Sequence, residues 1–235
     1  MSLIDYKVPF RSEGFIAEMA AICRQIGTLP GSSLVNLKTI LDELKAHGVE
    51  SIFEIRGMKR KGRLSIEEIE DNPYEFPAYV KFTPTLTMCI QESILARFKE
   101  GRSGERVIIA HEIGHIMLHN DEAKQFSRDK NLQINFAEDE HSAEWQANRF
   151  ADHLLIPTHL AQQINDVSRV AFSCNVPEKF ASERLTNVRQ IKKVLNRPCD
   201  GEPCPSCGEF SLIPDVSKRK CQACGYSREH LAFGL

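Results

Sequence analysis

Apolar residues recur at helical spacing along most of the chain, and the breaks in that spacing mark its elements. Phe15, Ile16, Met19, Ile22, Cys23 and Ile26 share one face of a predicted helix over 12–27, with Ser12 placed to cap it and Gly27 to end it. A turn at Leu29, Pro30 and Gly31 leads to a second helix over about 33–46, carrying Leu34, Leu37, Ile40, Leu41 and Leu44. Both read as helices that pack on a core. Residues 49–57 predict a strand. Residues 58–73 are charged, and the triplet Lys59, Arg60 and Lys61 reads as a solvated loop. Residues 78–91 alternate and are rich in β-formers, which predicts two strands with Pro84 at a turn or an edge.

A helix or turn over 92–99 precedes a strongly apolar helix that starts near Gly104 or Glu105 and runs to about His119. Residues 120–137 are polar and aperiodic, which predicts a loop, a lid, or a short strand over 133–136. Another amphipathic helix starts near Asp139 or Glu140, buries Ala143, Ala147, Phe150, Ala151, Leu154 and Leu155, and stops at Pro157. Further helices fill 158–195. Within them residues 170–185 have a helix–turn–helix rhythm, but the surface is not notably basic, so a packing pair is the expectation.

The apolar helix carries the chemistry. It contains His111-Glu112-x-x-His115. Residues at i and i+4 share a helix face, so both imidazoles point one way and suit one divalent ion, zinc above all. Glu112 is turned about 100° from His111. It is therefore placed to hydrogen-bond a water beside the metal rather than bind the metal, which makes it the candidate general base. The flanking Val107, Ile108, Ile109, Ile113, Ile116, Met117 and Leu118 make polar groups on this helix costly unless partnered, and a metal supplies the partner.

A catalytic zinc site needs a third protein ligand. The extended pattern HExxHxxGxxH fails, because Leu118 and Asp121 stand where it requires glycine and histidine. His119 lies two turns beyond His111, a rise of about 12 Å, too far to share the ion with it. Glu144 is the favoured ligand: enough chain separates it from His115 for a second helix to fold back across the first. Asn148 sits one turn further on the same face and can accept the other ring N–H of a ligand histidine. His141 and Glu140 compete with Glu144. Tyr79, His141 and His153 are candidates for stabilising an oxyanion.

Cysteine spacing adds a second unit. Cys204 and Cys207 form one CxxC knuckle and Cys221 and Cys224 another, with a short spacer between them and a glycine after each. This predicts a four-cysteine zinc ribbon over 197–235, whose closed site is structural, after a domain over 1–196. Lys218, Arg219 and Lys220 beside the second knuckle suit a phosphate or an acidic partner. The whole chain is close to neutral, with a formal charge of −2, so nothing global draws it to nucleic acid or membrane. No apolar run approaches the length of a spanning helix, and the first residues contain no apolar signal core, so a cytoplasmic location without membrane contact is expected.

Residues 109–119 and 144–157 together resemble the ImmA/IrrE family of bacterial and phage metallopeptidases, and the likeness extends more weakly through Val176, Arg184 and Leu185. It covers roughly residues 30–190 and leaves out the cysteine-rich tail. The resemblance implies an α+β, zincin-like core of a small sheet, the HExxH helix and a glutamate-bearing helix. It implies a zinc held by His111, His115 and Glu144. It also implies limited proteolysis of a specific protein, often a DNA-bound transcriptional repressor. Position 146, often a second glutamate in such sequences, is Gln146, which favours Glu144 as the ligand. Two zinc ions, one catalytic and one structural, and a ribbon contacting protein or nucleic acid complete the expectation. The alternatives are a non-catalytic, metal-stabilised regulator that binds DNA or protein, and a zinc hydrolase acting on a small amide. An intact Glu112 argues against the first, since a purely structural site has no use for a base.

Overall fold

The computed structural model describes residues 5–53, 62–119 and 139–195, and in the C-terminal region residues 206, 212–215, 218–221 and 224–229. The chain divides into two compact units, Met1–Leu185 and Thr186–Leu235. The first is a mixed α+β unit.

Its helices begin where a side chain can take up unpaired amides. Ser12 Oγ accepts from Phe15 N at the start of α1 (Glu13–Gly27). Asn36 Oδ1 accepts from Lys38 N and Thr39 N at the start of α2 (Leu37–Ala46). The predicted start of that helix near 33 is therefore too early: Asn36 caps it, and its own N–H is committed to the Gly27 carbonyl at 2.7 Å. The chain is so close there that a Cβ on Gly27 would lie 2.7 Å from the Asn36 oxygen.

The strand expected over 49–57 is not formed where that stretch is described. Residues Glu50–Phe53 make a single turn of helix, α3. The first strand lies instead in the stretch read as charged, at β1 (Ser65–Ile69). Its alternation is hidden because β1 is an edge strand with mostly exposed side chains, and its acids are paired sideways, Glu67 with Lys81 and Glu68 with Lys99. The basic triplet 59–61, the predicted loop or lid over 120–137 and the expected domain boundary between 196 and 197 lie outside the described residues.

The two strands expected within 78–91 are β2 (Ala78–Lys81) and β3 (Thr87–Gln91), with Pro84 in the connection between them. The sheet has the order β1-β3-β2, with β3 parallel to β1 and antiparallel to β2. Central β3 is buried at every residue, while β2 keeps one edge unpaired among the described strands. Helix α4 (Glu92–Lys99) follows β3 directly and packs near the sheet.

Helix α5 (Ser103–His119) is apolar around most of its circumference, as expected of a helix largely enclosed by others. Ile109, Ala110, Ile113, Ile116, Met117 and Leu118 are fully buried. A 3₁₀ turn (Asp139–His141) then leads to α6 (Ala143–Leu155), capped by Ser142 Oγ on Trp145 N. Helix α6 lies across α5, and α1 packs against α6. The succession continues with α7 (Thr158–Gln163), α8 (Val167–Cys174) and α9 (Glu178–Leu195). The helix–turn–helix rhythm corresponds to α8 and α9, joined through Asn175 in the left-handed conformation (φ 50°).

Buried and half-buried arginines tie these helices together. Arg24 donates to the carbonyls of Leu154 and Ser33, and Arg106 to those of Val35 and Asn175. Arg184, fully buried, donates to Ile156 O, Thr158 Oγ1 and His153 Nδ1. Each guanidinium supplies a donor to at least one carbonyl that the end of a helix leaves unpaired.

The second unit contains a three-stranded antiparallel sheet, β4 (Leu212–Asp215), β5 (Lys218–Cys221) and β6 (Ser227–Glu229), in the order β4-β5-β6. Cys221 ends β5 and is buried, and Cys224 is half-buried. Gly225, at φ 72°, donates its N–H to Cys221 O at 2.9 Å, the tight turn that a CxxCG knuckle needs. Cys199, Cys204 and Cys207 lie outside the described residues. No helix among the described residues is long and apolar enough to cross a membrane.

Candidate metal centre

The crossing of α5 and α6 brings His111, His115 and Glu144 together. Each offers a ligand atom, and these atoms lie within 4.8 Å of one another. The two Nε2 atoms are 3.0 Å apart, and Glu144 oxygens lie 3.3 Å from His111 and 3.4 Å from His115. Four donors set tetrahedrally around zinc at about 2.0–2.1 Å would be about 3.3 Å apart. Neither Glu140 nor His141 belongs to this cluster: His141 Nδ1 donates to Val8 O at 3.1 Å.

The polar partners say what the cluster lacks. His111 Nδ1 faces Asn148 Oδ1 at 2.9 Å. An amide oxygen only accepts, so His111 carries a proton on Nδ1 and turns Nε2, the nitrogen a metal would take, toward Glu144. Burial opposes charge on His111, yet the carboxylates of Glu144 and Glu112 raise its pKa above the ordinary value. Burial also works against charge on Glu144, but its bonds to His111 and His115 outweigh this and hold its carboxyl far below the usual range. The centre therefore favours an added positive charge, and two imidazoles with one carboxylate are donors that zinc takes. The residues fit the ion.

Behind the cluster His115 Nδ1 lies 3.1 Å from His119 Nδ1, and His119 Nε2 lies 3.1 Å from Gln146 Oε1. Asp5 supports the start of α6: its carboxylate accepts from Glu144 N at 3.1 Å and from Ser142 Oγ. The segment around it is fixed by a bridge between Lys7 and Ser142.

Glu112 is 6% exposed, one residue from His111, and burial pushes its carboxyl up despite the opposing charges of His115 and His111. It lines a cleft of about 730 Å³ together with the three cluster residues. The far wall is the β2 segment, Ala78 to Lys81, continued by Phe82, and the near wall is Val107 and Ile108 of α5. Of the three oxyanion candidates, Tyr79 lines the cleft. His141 is held against Val8, and His153 is buried between Arg184 and Glu13.

Sequence reasoning misses Gly114, Asp5 and Gln146. Gly114 stands inside the HExxH motif, where a glycine on a buried helix signals a close approach. Asp5 gives no signal, because the helix it supports begins far along the chain, at Ala143. Gln146 enters the sequence reading only as a residue that is not a glutamate.

Two histidines one turn apart on one helix, facing a glutamate of a second helix above a cleft, are the parts of a metal-dependent hydrolase. The segment that carries them, residues 99–186, matches the family model of the IrrE N-terminal-like domain, Peptidase_M78, which supports the likeness to the ImmA/IrrE family and a peptidase character at the family level. Among curated proteins none matches the chain.

Proposed function

We propose that the chain is a cytoplasmic zinc endopeptidase with a zincin-like core that cuts a regulatory protein, a DNA-bound transcriptional repressor being the favoured substrate. One observation carries the reading: Glu112 is buried beside the His111, His115 and Glu144 cluster and opens into the same cleft. A site used only for structure needs no base there.

His111 Nε2, His115 Nε2 and a Glu144 oxygen would hold the ion. When bound, zinc supplies Lewis acidity, making water easier to deprotonate and a peptide carbonyl easier to attack. Glu112 takes the proton from the attacking water and delivers it to the leaving amine. Asn148 holds the His111 ring in place through Nδ1. The outer edge of β2 offers backbone groups to an extended substrate segment, and Val80, Phe82, Val107 and Ile108 give that segment apolar walls. Tyr79 lines the same cleft, with its side chain beside Cys89 and Lys81.

In the second unit, Cys204, Cys207, Cys221 and Cys224 would bind a structural zinc. The resulting ribbon would grip a protein or nucleic acid. The test compares wild type with Glu112→Gln by mapping new amino termini in cells that express either protein. We expect cleavage products from a small set of regulatory proteins with wild type alone, at equal zinc content. Equal zinc and equal cleavage in both would remove Glu112 as the base, and products from neither would leave the non-catalytic regulator.

A further inference from the structure

Gln146 is fully buried, and the three polar ends of its surroundings leave its amide one orientation. Its Nε2 donates to Pro9 O at 2.9 Å and to Glu140 O at 2.7 Å. Turning the amide over would set its oxygen against two carbonyl oxygens. Its Oε1 therefore faces His119, and it can only accept. His119 Nε2, 3.1 Å away, carries the proton that it donates there. A neutral His119 then has an unprotonated Nδ1, which can only accept, and the group facing it at 3.1 Å is His115 Nδ1. His115 consequently carries a proton on Nδ1, which leaves Nε2, turned toward Glu144 and His111, as the nitrogen for a metal.

We propose that Gln146 is a positioning residue for the metal centre: acting through His119, it fixes His115 as an Nε2 ligand. The inference rests on the metal-site reading above. His111 is oriented by one amide, Asn148, at the surface of the cleft. His115 is oriented from the interior by a chain of side chains anchored on the backbone of the N-terminal segment and of the 3₁₀ turn. A glutamate at 146 could accept from His119 but could not donate to Pro9 and Glu140. The glutamine is what joins the two anchors to the ligand.

Zinc affinity of the full-length chain, measured by chelator competition, tests this. Gln146→Met keeps the length and removes the polar atoms, and His119→Phe keeps a ring and removes the relay. Each is expected to weaken zinc at this site roughly 10–100-fold, the range seen for groups that orient a ligand from behind. The double variant is expected to bind no more weakly than either single one, because the two act in series. His119→Gln retains an acceptor for His115 and a donor for Gln146, and is expected to stay within about threefold of wild type. Additive losses, or a Gln146→Met protein that binds zinc like wild type, overturn the proposal.

A measurement on the unmutated protein guards against variants that fail to fold. In the zinc-loaded chain labelled with ¹⁵N-histidine, His115 is expected to show a proton on Nδ1, shifted downfield and slow to exchange. Zinc bound through Nδ1 of His115 overturns the relay. The metal reading fails separately: its sign would be an unchanged zinc stoichiometry when His111 and His115 are both replaced by alanine.

Discussion

Gly114 lies against the backbone of Ala147. A Cβ at Gly114 would stand 3.0 Å from the Ala147 carbonyl oxygen and 3.1 Å from its Cα and from Phe150 Cβ. The glycine between the two clustered histidines is thus where α6 comes very close to α5. Ala147 is one turn from Glu144, so the same approach that leaves little room for a methyl group brings the glutamate over His111 and His115.

Gly114→Ala is accordingly expected to push α6 outward, since the groups it meets are mostly backbone and cannot rotate away. Overpacking of this kind costs about 1–3 kcal/mol, partly offset by the better helix propensity of alanine. Zinc affinity should fall together with the melting temperature. An alanine variant that melts and binds zinc as wild type does would show that the helix spacing is not what places Glu144.

Glu144→Ala is expected to weaken zinc at the centre by a factor of ten or more, with Glu140→Ala and His141→Ala close to wild type. Glu144 oxygens lie 3.3 and 3.4 Å from the histidine nitrogens, whereas His141 is committed to Val8 O. Chelator competition on the three variants decides the ligand set, and release of zinc by His141→Ala would overturn it.

Two zinc ions per chain with separable roles are expected. Truncation after Asn196 should leave one, because the segment removed carries all four clustered cysteines. So short a tail cannot bury a sizeable core and should depend on its metal to fold. Cys204→Ser with Cys207→Ser should behave likewise, lowering zinc content by one and raising KM for the true substrate more than it lowers kcat. Unchanged kinetics in the truncated form would end the recognition role of the tail.

Stability is expected to fall as pH drops below about 6.5, in part through His153. Burial pushes the pKa of this histidine below its ordinary value. Its Nδ1 accepts from Arg184 Nη2 at 3.0 Å and its Nε2 meets Glu13 at 3.2 Å, so the folded chain holds it neutral. The unfolded chain protonates it more readily and binds the extra proton first. Stability is therefore fully present above the unfolded pKa and declines as pH falls through it. His153→Gln can still donate to Glu13 and accept from Arg184, and should flatten the decline in denaturant midpoint. Metal release at low pH affects both proteins alike, so the difference between the two slopes is the readout. Identical slopes would show that His153 is not the source.

Much of the helical frame is readable directly, because apolar spacing and capping residues are local. The face of α1, the apolar α5 and the stop at Pro157 follow from residues within a few turns. The sheet is harder. β1 hides its pattern behind Glu67 and Glu68 because an edge strand buries little, and the β-prone stretch that begins at Val49 forms a turn of helix over Glu50–Phe53. Contacts with distant chain override weak local preference at such places.

The chemistry on offer is legible in the chain alone: two imidazoles on one helix face, a carboxylate beside them, and Glu144 with Asn148 one turn apart. Those relations depend only on the 3.6-residue period of a helix. Folding makes the choices among them. It selects Glu144 rather than Glu140 or His141 to meet the histidines, sets Tyr79 rather than His153 in the cleft, and links His115 through His119 to Gln146. It also carries Asp5 to the start of the helix of Glu144 and lets Gly114 set the distance between α5 and α6. Most of these join residues far apart in the chain. A distance of a few ångströms between two helices is fixed by how their side chains pack, which no local pattern encodes.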